Sequence, residues 1–349
     1  MDALRRCIAW VFLGLFPAVA RASGMMNSND QVASATEPSL QLASFLPYNA
    51  EKQLARLYSW YAWTIEQRDV RVDGWPLLDS PLPTLLLTAA YLLLVRLGPL
   101  LMQHQSALQL RAPLVLYNLA VSLLNLYIGL ELATVAWKQG YSWLCEPVDY
   151  STSPEAMRIT SALWFYYISK LLEFMDTVFF VLRKKNSQIT FLHVYHHSTM
   201  FLLWWIGMRW VAGGSAFVGA MLNSFVHVLM YLYYGLSAIG PRLQPYLWWK
   251  KYLTMLQLAQ FFTALVLGLN ALRLDCPFPL WMQYTLVIYM ISFIVLFLNF
   301  YIHAYCSGQT RKSGSKISPH KNGVVGWGHQ NGVHAPSGGG DGNGRLKQH

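Results

Sequence analysis

The chain has 349 residues, 54% of them hydrophobic, 15% aromatic and only 12% charged. That balance excludes an ordinary soluble domain and points to an integral membrane protein. The formal net charge of +10 lies in loops and in the tail, not on one soluble face. It therefore argues against nucleic-acid binding and reads as a topology signal, with attraction for anionic lipids or phosphorylated ligands. The apolar blocks run to about 20 residues, the length of a helix crossing a bilayer core of roughly 30 Å. They lack the short alternating segments of a membrane barrel.

Residues 1–24 read as a signal-like or extra hydrophobic segment. Arg5 and Arg6 precede an apolar run from Cys7 to Ala20, and Ala18-Val19-Ala20 supplies small residues for cleavage. A retained helix and an unrelated N-terminal extension are the alternatives. Residues 25–48 are rich in Ser, Asn and Ala and are expected to be disordered and lumenal. From Asn49 to Val72 an amphipathic, Trp/Tyr-rich pattern suits a helix lying at the membrane interface.

Seven transmembrane helices are predicted to follow: Leu82–Met102, Pro113–Trp137, Ile159–Leu182, Thr190–Val211, Ala216–Leu236, Tyr252–Leu272 and Leu280–Tyr305. The expected fold class is thus an all-α polytopic membrane protein, with one helical domain over 49–306. The Arg183-Lys184-Lys185 turn, the Arg242 to Lys251 loop and the tail with Arg311, Lys312 and Lys316 are basic. The loops with Glu146, Asp149, Glu155 and Asp275 are acidic or mixed. The positive-inside rule makes the first group cytosolic, including the C-terminus. Cys145 and Cys276 then fall in two lumenal loops, where an oxidising compartment permits a disulfide; two loop thiols are the alternative. Cys306 is expected to be a free thiol or a palmitoylation site. Residues 307–349 read as a flexible, disordered cytosolic tail.

The third span carries Lys170, Glu173, Asp176 and Thr177 along one stripe. A charge at mid-membrane costs roughly 2.5–3.5 kcal/mol, so these groups are expected to face the protein interior, as an ion-pair network or as the lining of a site. The fourth span carries His193, His196 and His197, spaced i, i+3, i+4 on one helix face. The fifth adds Asn223 and His227, followed by Met230, Tyr231, Tyr233 and Tyr234. The sixth adds Thr254, Gln257 and Gln260. One histidine on an apolar face is usually a hydrogen-bonded core residue. Four on consecutive spans beside an amide indicate a site.

Two chemistries suit it. A histidine box can hold metal, in a lipid oxidase or hydrolase. A di-iron centre needs about twice as many histidines as this cluster has. Outside the tail only His104 and His303 remain, and neither sits in a box. Three histidines can hold one zinc with an open position. The second chemistry is acyl transfer: an imidazole attacks a thioester, a neighbouring imidazole moves its proton, and Asn or Gln amides donate to the oxyanion. The basic loops then suit the phosphates of coenzyme A. A receptor or transporter is the third reading, disfavoured by the grouping of these side chains under basic loops.

The ordered patterns KxxExxDT, HxxHH, NxxxHxxMYxYY and TxxQxxQ resemble the elongation of very long chain fatty acids family, the membrane 3-ketoacyl-CoA synthases, from about Leu46 to Tyr305. The loop words WPLLDSPLPT, GYSWLCEPVDY and LDCPFPLW are most similar to the type 4 branch, and Gln188 to the residue of members taking polyunsaturated chains. The resemblance implies seven helices around a central acyl tunnel in the endoplasmic reticulum membrane. It implies malonyl-CoA and a long acyl-CoA as substrates, no cofactor and no metal. Possible partners are further copies of the chain and other elongation-cycle enzymes. It implies that His196 takes the acyl group, with His227 at the reacting carbonyl and His193, His197 and Asn223 orienting and stabilising. Lys170, Glu173, Asp176 and Gln257 would order the site, and Arg183, Lys184, Lys250 and Lys251 would bind coenzyme A. A lumenal Cys145–Cys276 disulfide is implied too. The final residues, Arg345 to His349, carry no dilysine retrieval signal of the kind type 4 members have.

Overall fold

The computed structural model describes residue 59 and residues 62–306. The expectations for 1–24, 25–48, most of 49–61 and the tail 307–349 lie outside the described residues, as does the side chain of Cys306.

The chain enters α1 (Pro81–Leu101) through Ser80, whose hydroxyl accepts the Leu82 N–H, with proline at the first helical turn. Helix α2 (Arg111–Gln139) ends at Gly140, where a φ of 66° closes the helix. Glycine adopts that left-handed conformation without steric cost. Helix α3 (Pro154–Leu172) repeats the start of α1, with Ser153 as cap. Then come α4 (Phe174–Leu182), α5 (Phe191–Trp210), α6 (Ala216–Ile239), α7 (Lys250–Arg273) and α8 (Leu280–Tyr301), which continues as a π turn over Ile302–Cys306. Helix α2 packs most extensively on α6, α7 on α8, and α5 on α1 and α3. Tyr166, Tyr167, Phe201, Phe217 and Phe293 are fully buried where these pairs meet. Leucines such as Leu86, Leu93 and Leu269 face outward, as lipid contact requires.

Among the described residues, five helices are long and apolar enough to cross a membrane: α1, α2, α6, α7 and α8 with its π turn. Two predicted spans differ. The third is not one helix. At Glu173 the Asp176 N–H bonds the Glu173 carbonyl at 3.1 Å, an i to i+3 contact that interrupts the α pattern and separates α3 from α4. The fourth, α5, carries three histidines, Ser198, Thr199 and Arg209, which dilute its apolar content.

The bundle has two chemically distinct ends. One holds Arg111, the α4–α5 turn and the α6–α7 connection, and is basic. At the other, Cys145 and Cys276 are disulfide-bonded with Cα atoms 5.6 Å apart, joining the α2–α3 and α7–α8 connections.

The expected interface helix over 49–72 is also modified. Residues 62–66 are helical, but Val70–Val72 form a 3-10 turn capped by Asp69, and Asp69, Arg71 and Val72 are buried. The cause is Arg71. Its guanidinium bonds the Asp69 carboxylate at 2.6 Å, the Asp149 carbonyl at 2.6 Å and the Ala212 carbonyl at 3.2 Å. Its donors are satisfied inside the protein, so the chain is drawn in to them. Arg71→Met strands the Asp69 carboxylate and is expected to cost about 3–5 kcal/mol. Arg158→Met breaks only the exposed pair with Glu131 and is expected to cost at most about 1 kcal/mol. Thermal unfolding in detergent compares the two.

Candidate active site

The break after α3 sets the first half of the site. Lys170 and Glu173 lie one turn apart, both fully buried, with Lys170 Nζ donating to Glu173 Oε1 at 2.7 Å. Across from them α6 presents Asn223 and His227 on one face, four residues apart. His227 Nδ1 lies 3.1 Å from the same carboxylate oxygen. Lys170 Nζ also donates to Asn223 Oδ1 at 3.2 Å and stands 4.4 Å from the centroid of the Tyr166 ring.

Tyr166 completes this network. Its hydroxyl donates to Asn223 Oδ1 at 2.6 Å. The Asn223 carbonyl oxygen therefore accepts from two donors, which fixes the amide so that Nδ2 is left to donate into the pocket that Asn223 lines. The Lys170 ammonium offsets the buried Glu173 charge. Glu173 Oε1 in turn fixes the ring of His227, whose other nitrogen is left toward the pocket.

The second half comes from α5, capped by the Thr190 hydroxyl on the His193 N–H. His193 Nε2 is held 2.7 Å from Thr177 Oγ1, and that hydroxyl donates to Tyr91 Oη at 3.3 Å. His197 packs beside His193 with ring centroids 4.3 Å apart and the planes tilted by 55°, and its Nδ1 is buried without a partner among the described residues. His196 has no hydrogen-bond partner among the described residues. Its ring is half-buried, 6.2 Å from that of His227 and edge-on to Phe293 at 5.6 Å. Of the three α5 histidines, His196 alone is both accessible and uncommitted.

One pocket is lined by Glu173, Asp176, His193, His196, His197, Asn223, His227 and Gln257, and so unites residues from the α3–α4 junction, α4, α5, α6 and α7. Lys170 stands behind this wall. Asp176 accepts from Tyr231 Oη at 2.8 Å, and Gln257 Nε2 contacts Met230 Sδ at 3.4 Å. The four cations suggested for coenzyme A do not come together. Lys250 lines this pocket, and Arg183 and Gln188 line a neighbouring one. Lys184 adopts a left-handed φ of 55° and gives its amine to the Gln103 carbonyl at 3.1 Å. Lys251 is exposed beside the Tyr301 ring. The sequence reading missed Tyr166 and Tyr91. Tyr166 carried a usable signal, since it lies one helical turn before Lys170 on the same stripe.

Glu173, His196 and His197 also bring donor atoms within 4.8 Å of one another, the spacing of a metal site. The carboxylate is already paired with the Lys170 ammonium, which would repel a cation placed there.

The ELO family, described as the GNS1/SUR4 family, matches residues 76–313. The chain is 55% identical over 254 residues to human very long chain fatty acid elongase 4, covering 73% of this chain and 81% of that protein. It is 50% identical over 268 residues to elongase 5 of Tachysurus fulvidraco, covering 76% and 89%. It is 50% identical over 245 residues to elongase 2 of Mus musculus, covering 70% and 83%.

Proposed function

The chain belongs to the ELO family of fatty acid elongases, and from that premise we propose that it is a very-long-chain 3-oxoacyl-CoA synthase working through an acyl-histidine. Fatty acid elongation by a multi-pass membrane protein is the family's activity. The residue roles below are our reading of the pocket. The observation that carries it is the pair of imidazoles on opposite walls: His196 without a partner, and His227 fixed by Glu173.

His196 attacks the thioester carbonyl of a long acyl-CoA. The Asn223 Nδ2 donor, oriented by Tyr166 and Lys170, meets the developing oxyanion. His227 supplies the proton that leaves with coenzyme A thiol. The acyl group now rests on His196 as an acyl-imidazole. Malonyl-CoA then loses carbon dioxide, and the carbon–carbon bond electrons become an enolate. The enolate attacks the acyl-imidazole, forms the new carbon–carbon bond and expels the His196 imidazolate, which takes up from solvent a proton replacing the one that left on coenzyme A thiol, giving 3-ketoacyl-CoA. His193 and His197 pack beside His196 and hold its ring. Lys170, Glu173 and Asp176 order the walls, and Gln257 borders the pocket. The hydrocarbon chain runs inward past Phe261 and Phe293, which stack with centroids 5.1 Å apart.

The same reading assigns seven crossings, with α3–α4 and α5 as the two polar ones around the five apolar helices. It places the protein in the endoplasmic reticulum with the basic end and the C-terminus cytosolic. The substrate is a long or very-long-chain acyl-CoA, polyunsaturated by the resemblance at Gln188. Further copies of the chain and the enzymes that reduce and dehydrate the product are the expected associates.

Membranes containing the chain, given carboxyl-labelled malonyl-CoA and a panel of acyl-CoAs, are expected to release one carbon dioxide per two-carbon extension. Extension that persists without loss of the label defeats this reading. The second reading, a metal-dependent oxidase or hydrolase, is favoured by the Glu173, His196, His197 grouping alone. Stoichiometric iron or zinc in purified protein, with activity abolished by a chelator, would support it. Full turnover in the chelator's presence is the result expected here.

A further inference from the structure

Condensation by the route above consumes one proton from water in every cycle. In the first half the proton of His196 leaves on coenzyme A thiol. In the second half carbon dioxide departs without a proton, and His196 is released as imidazolate. Substrate fills the catalytic pocket at that moment and excludes bulk water, so the proton needs a way through the pocket wall.

One wall offers it. The catalytic pocket adjoins a second one at the basic end, bordered by Arg111, Arg183 and Lys185. Asp176, Phe180, Tyr233 and Tyr234 line both pockets, and Asp176 is the one carboxyl among them. It is half-buried and makes no ion pair among the described residues. A carboxyl inside a membrane span is paired or functional, and proton relay is one such function. Tyr231 Oη donates to Asp176 Oδ2 at 2.8 Å and holds the group in the wall. The other titratable groups that feel its charge are Tyr91 of α1, Tyr117 of α2, Tyr234 of α6, and Lys170 and Glu173 at the end of α3. A phenol keeps its proton near neutral pH, and Lys170 and Glu173 are bound to each other. Asp176 is the group placed to take a proton up and release it.

A buried acceptor without a donor stands in each of the two pockets that Asp176 borders. In the second pocket the Asn118 Nδ2 donates to the Leu114 carbonyl, while its Oδ1 accepts from nothing among the described residues. In the catalytic pocket Glu173 Oε2 is in the same position. Each is an acceptor that a water molecule satisfies. Glu173 lies one turn before Asp176, and its other oxygen holds His227, whose ring is 6.2 Å from that of His196.

We infer that Asp176 is the proton carrier of the second half-reaction, passing one proton per cycle from water in the second pocket to the His196 imidazolate. Hydronium beside Asn118 Oδ1 gives its proton to the Asp176 carboxylate and is left as water. The Asp176 carboxylic acid releases that proton to water at Glu173 Oε2, which hands it on to the imidazolate. The N–H bond of His196 is restored and Asp176 is a carboxylate again. The inference rests on the elongation reading above and goes beyond it, since there Asp176 only orders the wall.

The test compares the two half-reactions in the full-length protein in detergent. Acylation without malonyl-CoA needs no outside proton. Asp176→Asn can still accept from Tyr231, and should release one equivalent of coenzyme A as fast as the parent. Its kcat for elongation should fall on the order of 10²-fold with KM unchanged. Asp176→Glu restores a carboxyl and should recover most of kcat. Hydrazoic acid, supplied as azide, should speed Asp176→Asn several-fold and leave the parent unaffected, a response that packing would not give. Tyr231→Phe removes the hydrogen bond but keeps the carboxyl, and should retain most of kcat.

Full kcat in Asp176→Asn overturns the inference. So does an equal loss in Tyr231→Phe with no response to azide, which reduces Asp176 to packing. If Asp176→Asn releases no coenzyme A, its pocket is not intact and the parent carries the test. Dicyclohexylcarbodiimide, which modifies protonated carboxyls, should then add once to Asp176, abolish turnover and spare the release of coenzyme A. No adduct at Asp176, or full turnover with it, overturns the inference. A parent protein that extends no acyl chain defeats the elongation reading, and this inference with it. Extension by the parent beside an unimpaired Asp176→Asn defeats this inference alone.

Discussion

Lys170→Met is expected to destabilise the protein by about 3–5 kcal/mol, because it leaves the Glu173 carboxylate buried beside no cation. Lys170 and Glu173 are 1% and 0% exposed, and water cannot take over the lost interaction. Glu173 Oε2 already has no partner, so the carboxylate has no second set of donors among the described residues to fall back on. The double variant Lys170→Met with Glu173→Gln removes both charges and should recover much of the stability, as buried ion pairs replaced together commonly do. It should not recover elongation. His227 would face a neutral amide in place of its carboxylate, and Asn223 would lose one of the two donors that orient it. Thermal unfolding in detergent and turnover in membranes read the two effects separately. A double variant that regains both stability and full turnover would reduce this network to packing.

His196→Ala is expected to cut condensation on the order of 10³-fold or more while the fold persists. The half-buried ring makes no hydrogen bond that the fold depends on, so the stability cost should be that of an ordinary point mutation, about 1 kcal/mol. Thr177→Val is the contrasting case. It removes the partner of His193, a residue placed here to hold the cluster, and should lower turnover by less. An equal loss in both variants would mean that the cluster acts as one scaffold without a distinct nucleophile.

Much of this site was legible because its parts repeat at helical spacing. The i, i+3, i+4 pattern of His193, His196 and His197 and the i, i+4 pair Asn223 and His227 each define a helix face, and the faces meet as the pattern suggests. The interruption at Glu173 was not legible. The stripe of Lys170, Glu173 and Asp176 keeps its periodicity across it, so nothing in the sequence marks the missing helical bond. Tyr166 went unread because an aromatic residue in a membrane helix is usually packing. Its role depends on Asn223, which lies 57 residues away.

Arg71 failed for a similar reason. An arginine in an amphipathic segment reads as a surface charge, and the carbonyls that bury it come from residues 149 and 212. The basic turn Arg183-Lys184-Lys185 reads as one patch, but the left-handed backbone at Lys184 sends its amine to the α1–α2 connection while its neighbours face the second pocket. Local pattern thus gives the residue types on each face. Distant partners decide which of them are buried and what they touch.

The central claim is that the acyl chain passes through a covalent bond to His196. Purified protein incubated with acyl-CoA and no malonyl-CoA should gain the mass of one acyl group and release one equivalent of free coenzyme A. Fragmentation should assign the added mass to His196, and it should disappear when malonyl-CoA is added. An unmodified mass at full release of coenzyme A, or an adduct that stays on another residue in His196→Ala, would contradict the account.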